Sequence, residues 1–582
     1  MPSTLPTTPF VLLDDARETG ASPGRLYSNP LSVITACDPG DVERALGEVS
    51  TATKAGQHVA GFIAYETGHA LEPKLAGQQR RADVPLLWFG VFDRFEKLTA
   101  QDVVARLPSA AGAYAAAPQP SQGLGDYERA FTAIQNYISA GDLYQANLTL
   151  PFRVPYAGHP LALYAGLRAR AKAGYGGVIW TGKEWLLSLS PELFFAVRGG
   201  KITTKPMKGT ALRGEDDAAI IDALRNDPKQ RAENLMIVDL LRNDLSRVAA
   251  PGSVETPQLF HVETYPTVHQ MTSTVMATLR EGLSAVDVIK AIFPCGSVTG
   301  APKIRAMEVI GEIEPNPRGV YTGSIGRIDA NGDAAFNVAI RTLHIGQGVT
   351  QATLGLGGGI VADSECDAEW AEVYAKGRFV ADQRIFDLIE TMRFDPATGI
   401  ALLDRHIARI GESAAALGFE FDRHAARNEL QAATFRIQSP RKVRLMLAKS
   451  GRIAVEIRAL PVAPSEPVAV HVRKLTVDAH DFRLRYKTSD RAFYDVVRGD
   501  AFEVVLSDAD GFITEGSFTN IFVKRGGQLL TPPLSRGLLP GVLRAELIER
   551  DMAVEADLRV EDLRDGFFIG NACRGLLAAK LA

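Results

Sequence analysis

The stretch Thr203-Thr204-Lys205-Pro206-Met207-Lys208-Gly209-Thr210-Ala211-Leu212-Arg213-Gly214 puts a primary amine on a Gly-flanked turn straight after a strand-like segment. Beside Gly209 the backbone can approach a ligand closely, and a buried amine there can lose its charge and become a nucleophile. For an arbitrary lysine the ordinary expectation is a solvated surface turn. Lys208 rises above it because of its company. Sixteen residues earlier, Ser190-Pro191-Glu192-Leu193-Phe194-Phe195 sets Glu192 between a proline and an aromatic pair. A carboxyl group in apolar surroundings keeps its proton to higher pH and can deliver it near neutrality.

With SPELFF followed by PMKGT, the chain resembles the chorismate-utilising enzymes, and among them the aminodeoxychorismate synthase component I branch. In anthranilate synthases the matching segment usually reads PIAGT, with alanine where Lys208 stands. The resemblance therefore favours the para-amino product, with Lys208 as nucleophile and Glu192 as proton donor.

Working outward, the first hundred or so residues alternate apolar runs such as Gly61-Phe62-Ile63-Ala64-Tyr65 and Leu86-Leu87-Trp88-Phe89-Gly90 with polar helical stretches, an α+β pattern. The Ala-, Pro-, Gly- and Ser-rich segment from Ser109 to Gly125 reads as a loop or linker. Tyr127 to Ala140 has helical periodicity and stops at Gly141, a natural residue for a helix end. Gly141 to Leu150 alternates Gln, Asn and Thr with apolar neighbours as a half-buried strand does. Matched to the family's GDIYQVNLT segment, that strand lines the synthase core.

Residues 229 to 247 (KQRAENLMIVDLLRNDLSR) carry leucines, Met236 and Ile237 at helical spacing, with Glu233 as a polar exception. Asp367 to Lys376 reads as a second helix with Glu369 and Glu372 on one face, where a plain pairing of Glu372 with Lys376 is the bland alternative. Spacing alone goes no further. The resemblance matches these segments to the family's two magnesium-binding helices, with Glu233 and Glu372 as Mg²⁺ ligands and Glu369 close by, an oxygen set suited to that ion. It also places His269 beside the substrate ring as a catalytic residue, although a lone histidine is more often structural. Substrate contacts are implied for Ser297, Thr299, Lys303, Tyr321, Arg341, Gly357 and Gly358. Chorismate carries two carboxylates, which suits Lys303, Arg341 and the bare N–H groups of Gly355-Leu356-Gly357-Gly358-Gly359. As a nucleotide motif that glycine run is weak. Feedback-inhibited anthranilate synthases carry an LLES-type element near the N-terminus; here Val11-Leu12-Leu13-Asp14-Asp15-Ala16-Arg17 stands instead, which speaks against tryptophan inhibition.

A second resemblance begins at Ile385-Phe386-Asp387-Leu388-Ile389-Glu390-Thr391. Residues 385–582 resemble the class IV pyridoxal-phosphate enzymes, which include branched-chain and D-amino acid aminotransferases and aminodeoxychorismate lyase. Arg409, in Arg405-His406-Ile407-Ala408-Arg409, matches the phosphate-binding arginine; Lys487 matches the cofactor-bonded lysine; Glu515, in TEGSFTN, matches the carboxylate on the pyridine nitrogen. Gly541, Val542 and Leu543 open a helix after a loop, where N–H groups and the helix dipole favour a phosphate. Leu543 departs from the threonine common in aminotransferase relatives, so one hydroxyl contact is missing. Asn571-Ala572-Cys573-Arg574-Gly575 closes the site.

The expected fold is an α+β chorismate-binding domain, anthranilate synthase component I-like, followed by a two-subdomain α/β class IV pyridoxal-phosphate fold. Its parts are residues 1–115 (N-terminal α+β part), 120–382 (chorismate-binding catalytic domain) and 385–582 (lyase). The 582 residues are too many for one core. An apolar fraction of 46% and a charged fraction of 23% are ordinary for a globular protein, and 64 Lys+Arg against 68 Asp+Glu give no electrostatic case for nucleic acid or an anionic membrane. The N-terminus shows no signal-peptide pattern, no apolar run approaches the roughly 18 residues of a membrane span, and the four cysteines have no CxxC spacing. A cytoplasmic enzyme is expected. No cysteine lies in a GxCxGxQ-like nucleophile elbow, so ammonia should come from a separate glutamine amidotransferase subunit. The sequence is silent on oligomeric state; the cofactor domain leaves room for a homodimer.

Together the two resemblances imply a bifunctional enzyme of 4-aminobenzoate and folate synthesis, using Mg²⁺ and pyridoxal 5′-phosphate. Rival readings are an anthranilate- or salicylate-forming enzyme, and a C-terminal half that is an aminotransferase or a cofactor-free interaction module.

Overall fold

The computed structural model describes residues 5–78, 80–265 and 268–582, and by internal contacts the chain divides into two compact units. The first comprises residues 1–107, 117–154 and 164–381 and the second 108–116, 155–163 and 382–582. Among the described residues no helix is long and apolar enough to cross a membrane.

The first unit is built on two large, mainly antiparallel sheets. One runs Gly300–Ala301, Gln145–Ala157, Gln351–Ile360, Thr342–Ile345, Trp185–Ser190, Tyr175–Trp180, Phe10–Asp14, Gly24–Ser28, Glu96–Leu98. The other runs Met207–Leu212, Val268–Thr278, Lys201–Lys205, Leu193–Arg198, Ala334–Asn337, Ser324–Ile328, His58–Ile63, Leu87–Phe92, Ser32–Ala36. Val11, Tyr27, Ile179 and Leu186 of the first sheet share a core with Phe62, Trp88, Phe92 and Ile325 of the second. Strands covered on both faces are apolar nearly throughout, and Leu87–Phe92 (LWFGVF) is wholly buried. Helices cover the outer faces. Val42–Lys54, Pro228–Ser246 and Ala285–Ile292 contribute to the core on one side, and Leu124–Ser139, Lys303–Ile313 and Cys366–Gly377 to the core on the other.

Local chemistry sets the helix that carries Glu233. Asp227 caps it by accepting from the Gln230 N–H at 2.9 Å, and Pro228 occupies the first helical position, where a missing N–H costs nothing. The expected turn at Lys208 is instead a strand, Met207–Leu212, whose pairing with Val268–Thr278 slips between Met207 and Thr210. Gly209 has φ of +102° at that slip, a conformation side chains rarely adopt.

In the second unit a four-stranded antiparallel sheet, Gly399–Ile400, Leu388–Asp395, Arg441–Leu447, Ile453–Ala459, carries the helices Leu403–Leu417 and Arg423–Thr434. Strict alternation in Arg441–Leu447 buries Val443, Leu445 and Leu447 in that core. The other layer is an eight-stranded mixed sheet, with Val468–Lys474 parallel to both Val504–Ser507 and Gly575–Leu581. The segment from Ser109 to Gly125 is not the plain linker its composition suggests. Tyr114–Ala115 is a short strand paired with Tyr156 and Ala157, and the buried Tyr114 ring meets Phe386 edge-on, 5.4 Å between centroids. A large ring in reach of an apolar core outweighs the loop preference of its Ala, Gly and Pro neighbours.

Candidate active sites

Glu192 lies in the turn between Trp185–Ser190 and Leu193–Arg198, closed by its N–H donating to Ser190 Oγ at 3.2 Å. Its carboxyl is buried, and burial pushes its pKa up to about 7 against the opposing pull of the Ser297 hydroxyl and the Lys208 charge. Ser297 Oγ donates to Glu192 Oε1 at 2.7 Å. Lys208 leaves the slipped strand with Nζ 3.1 Å from Glu233 Oε2, and Asn234 on the same helix donates to its carbonyl at 3.3 Å. The Lys208 amine is thus near enough for its charge to act on the buried acid.

The glycine run makes room for the surrounding groups. A Cβ on Gly358 would stand 2.7 Å from Glu369 Oε2; one on Gly359 would stand 2.7 Å from Gln145 Nε2 and 3.3 Å from Lys208 Nζ. On Gly355 it would strike the Tyr321 ring at 2.2 Å. Any side chain here would displace the polar groups, which is why the strand Gln351–Ile360 carries none at these positions.

The carboxylates foreseen as magnesium ligands are engaged within the protein. Glu233 faces Lys208, Glu372 pairs with Lys376 at 2.8 Å, and Glu369 accepts from Ser364 Oγ at 2.7 Å. Among the described residues no three His, Cys, Asp or Glu side chains gather as a metal-holding group. The donor chemistry still suits a hard dication. Burial first, and then the negative charge of Glu372, raise the Glu369 pKa, a repulsion that a bound cation would relieve.

Other foreseen residues divide. Ser297 acts on Glu192, and buried Thr299 donates to the Cys295 carbonyl at 2.8 Å. Lys303 Nζ is held by buried Asp244 at 2.6 Å and the Ile292 carbonyl at 2.8 Å, which take two of its three donors. A buried carboxylate needs such a partner. His269 is fully buried with Nε2 at Asp217 (2.9 Å) and Nδ1 at Thr264 (3.0 Å), so both ring nitrogens are committed within the protein. Pro266 and Thr267 just before it lie outside the described residues. Arg341, at φ of +49°, has no ion pair among the described residues, and burial lowers its pKa. Gln145, on the strand expected to line the core, is buried with neither amide atom bonded among the described residues, and the fold places it beside Gly359 and Lys208.

In the second unit, Lys487 follows the short helix Phe482–Arg485, and its carbonyl accepts from the Ile389 N–H at 2.8 Å. Burial, then the positive charge of Arg409, brings its pKa down to about 7. Glu515 is buried, accepts from the Tyr494 hydroxyl at 2.5 Å and the Leu539 N–H at 3.1 Å, and burial lifts its pKa to about 7. Arg409 forks onto Glu390 at 2.8 and 2.6 Å and reaches the Pro540 carbonyl at 3.0 Å, which brings it to the loop before Gly541. Glu390 and Tyr494 escaped the sequence reading; Glu390 was visible in the IET segment but had no partner to reveal it. A Cβ on Gly541 would fall 1.8 Å from Asn520 Oδ1, so the loop can only close with glycine there. Val542 opens the following helix, and Leu543 packs beside Phe522 and Leu547. Asn571 pins the loop by accepting from the N–H groups of Cys573 (3.0 Å) and Arg574 (2.9 Å). A near-neutral amine, a buried carboxyl and a helix-opening glycine loop beside an arginine are the groups that pyridoxal phosphate requires, and they fit it.

The first unit holds a buried acid near an amine, and the second a lysine whose pKa burial lowers and a carboxyl whose pKa burial raises. Residues 9–382 match the chorismate binding enzyme family, and residues 387–581 match amino-transferase class IV. The chain belongs to the chorismate-binding enzymes, with a class IV aminotransferase domain at its C-terminal end. It is 47% identical over 254 residues to aminodeoxychorismate synthase component 1 of Klebsiella aerogenes, covering 43% of this chain and 56% of that protein. To anthranilate synthase component 1 of Pseudomonas putida it is 41% identical over 256 residues, covering 44% and 52%. The matches thus span about half the length of these curated relatives. Among solved structures, anthranilate synthase component I from Streptococcus pneumoniae TIGR4 aligns with a TM-score of 0.54 and 26% identity, over 62% of this chain and 93% of its own.

Removing the Ser297 hydroxyl deletes a bond that favours ionised Glu192, so Ser297→Ala should move the Glu192 carboxyl titration upward from about 7. The expected shift is about one pH unit, the worth of one hydrogen bond to a charged group. Infrared titration of the carboxyl band, assigned with Glu192→Gln, measures it; an unmoved midpoint would mean that burial alone sets the value.

Proposed function

We propose that the chain makes 4-aminobenzoate in the cytoplasm for folate synthesis, in two steps. The first unit aminates chorismate to 4-amino-4-deoxychorismate with ammonia from a separate glutamine amidotransferase subunit. The second eliminates pyruvate to release the aromatic amine. The observation that carries the reading is the buried Glu192 carboxyl, lifted by burial to a pKa of about 7, with the half-buried Lys208 amine near enough for its charge to act on it.

In the first step the Lys208 nitrogen adds to ring C2, both ring double bonds shift by one position toward C4, and the C4–O bond breaks as Glu192 delivers its proton, so that water leaves. Nζ, which stands 3.1 Å from Glu233 Oε2, gives up its proton to water before it attacks. Ammonia then forms the C4–N bond and the C2–N bond to Lys208 breaks. Arg341 supplies charge for a substrate carboxylate, and the glycine strand lets the ring approach. Glu372, Glu369 and Glu233 would hold Mg²⁺, whose contribution is Lewis-acid charge on a carboxylate of the substrate.

In the second unit, Arg409 and the N–H groups of residues 541–543 would hold the phosphate of pyridoxal phosphate and Glu515 its ring nitrogen. Bound there, the cofactor supplies an electron sink for charge developing at C4. Lys487, with a pKa near 7, takes the C4 proton; the C3–O bond breaks, the ring aromatises, and the departing enolpyruvate is protonated to pyruvate. A second reading is favoured by the class IV match itself, in which this unit transfers amino groups between amino and 2-oxo acids.

Lys208→Ala should lower amination of chorismate with ammonia and Mg²⁺ by at least about 10²-fold, the scale of losing an activated nucleophile, while the cofactor's yellow absorbance persists. Near-parental 4-aminobenzoate formation would reduce Lys208 to a binding residue.

Lys487→Ala should still consume chorismate but accumulate a non-aromatic aminated product and release little pyruvate, followed by chromatography and a pyruvate assay. Adding a separate lyase should restore 4-aminobenzoate. If the variant alone keeps the parental rate, the aminotransferase reading replaces the lyase.

A further inference from the structure

Arg318 lies outside every group assigned above, yet its guanidinium is wholly spent inside the first unit. Nε donates to Glu314 Oε2 at 2.9 Å; one Nη donates to the Val298 carbonyl at 3.1 Å and Thr322 Oγ1 at 3.4 Å; the other donates to the Asn147 carbonyl at 2.6 Å and Glu314 Oε1 at 2.7 Å. These bonds use all five N–H groups of an arginine, so it has none left for a ligand. Its own N–H, and that of Gly319, donate to buried Glu66 at 2.6 and 3.1 Å, and its plane stacks on Tyr65 at 4.6 Å. Glu314 Oε1 also takes the Thr149 N–H at 2.9 Å.

Each segment that Arg318 grips carries a residue of the site. Asn147 and Thr149 belong to the strand of Gln145, Val298 stands between Ser297 and Thr299, and Thr322 follows Tyr321. The geometry points to Arg318, locked by Glu314 and Glu66, as the positioning residue that sets where Ser297 meets Glu192. The inference rests on the reading of Glu192 as the acid of this site. Arginine is required because its planar fork spans three segments, which the single ammonium of lysine cannot do.

The test reads Glu192 directly, so it does not depend on turnover. The charged or titratable groups facing Glu192 are Lys208 and Cys295, and both are left in place. In Arg318→Lys the Glu192 carboxyl band should titrate about one pH unit higher, as in Ser297→Ala. Combining the two substitutions should add nothing further, because both act through one bond. In parallel, kcat for ammonia-dependent amination should fall about 10²-fold in Arg318→Lys with KM for chorismate changed less, the signature of a misplaced reacting group. A folded Arg318→Lys protein whose Glu192 titrates as in the parent overturns the inference, as does a double variant whose shift is the sum of the single ones. Should Arg318→Lys not fold, Glu314→Gln with Arg318→Met removes both buried charges together, a change such pairs often tolerate. That variant must show the same upward shift, and a parental titration in it is equally fatal. A parent chain that forms no aminated product would refute the proposed function, whereas an unmoved Glu192 would refute only Arg318's part.

Discussion

Taking the Glu192 carboxyl out of water costs free energy that its surroundings must offset, and how far they do so decides its chemistry. Full compensation by a tight ion pair would leave a spent carboxylate, as at Glu390, where Arg409 and His406 overcome burial and hold the pKa down to about 2. Glu192 receives less: one hydroxyl at 2.7 Å and the field of Lys208. The outcome is a value near 7, where a group can both hold and give up a proton. Much of the first unit serves that partial compensation. The Ser190 turn aims the carboxyl, the segment at 296–299 brings Ser297, and the slipped strand brings Lys208 close enough to act but leaves it on Glu233.

The second unit uses the same desolvation on a group of opposite charge. Burying an amine favours its neutral form, and the adjacent Arg409 adds to the effect, so Lys487 falls to about 7 while Glu515 rises to about 7. Neither shift comes from an unusual residue type. Both follow from placing ordinary groups where water is excluded and supplying only some of the partners that would restore the charged form.

Much of this was legible in the sequence because it depends on spacing along the chain. The helices carrying Glu233 and Glu369 and the glycine loop at Gly541 lie where periodicity and motif put them, whereas the run at Glu192, which reads as a strand, is a turn between two strands. What could not be read depends on distant partners. The commitment of Lys303 to Asp244 joins residues 59 positions apart, and the capture of His269 by Asp217 spans 52. Tyr114 has its fate decided by Phe386, so the composition of its segment misleads. At Lys208 the error was local: a positive φ at Gly209 serves a turn or a strand slip equally well, and only the partner strand distinguishes them.

The two near-neutral groups impose opposite pH demands on one chain. On the proposed route Glu192 must be protonated to release the C4 hydroxyl, a form that fades as pH rises through about 7. On the same route Lys487 must be a neutral amine to take a proton, a form that fades as pH falls through about 7. Amination should therefore weaken on the alkaline side and elimination on the acid side, with overall 4-aminobenzoate formation greatest near their crossing. The non-aromatic intermediate should accumulate at low pH and unreacted chorismate at high pH. Quantifying chorismate, intermediate and 4-aminobenzoate across pH 5 to 9, an interval about two units to each side of the crossing, tests this. An intermediate that accumulates only on the alkaline side would show that some other group governs the proton at C4, and that the depressed amine of Lys487 serves to hold the cofactor and not to move that proton.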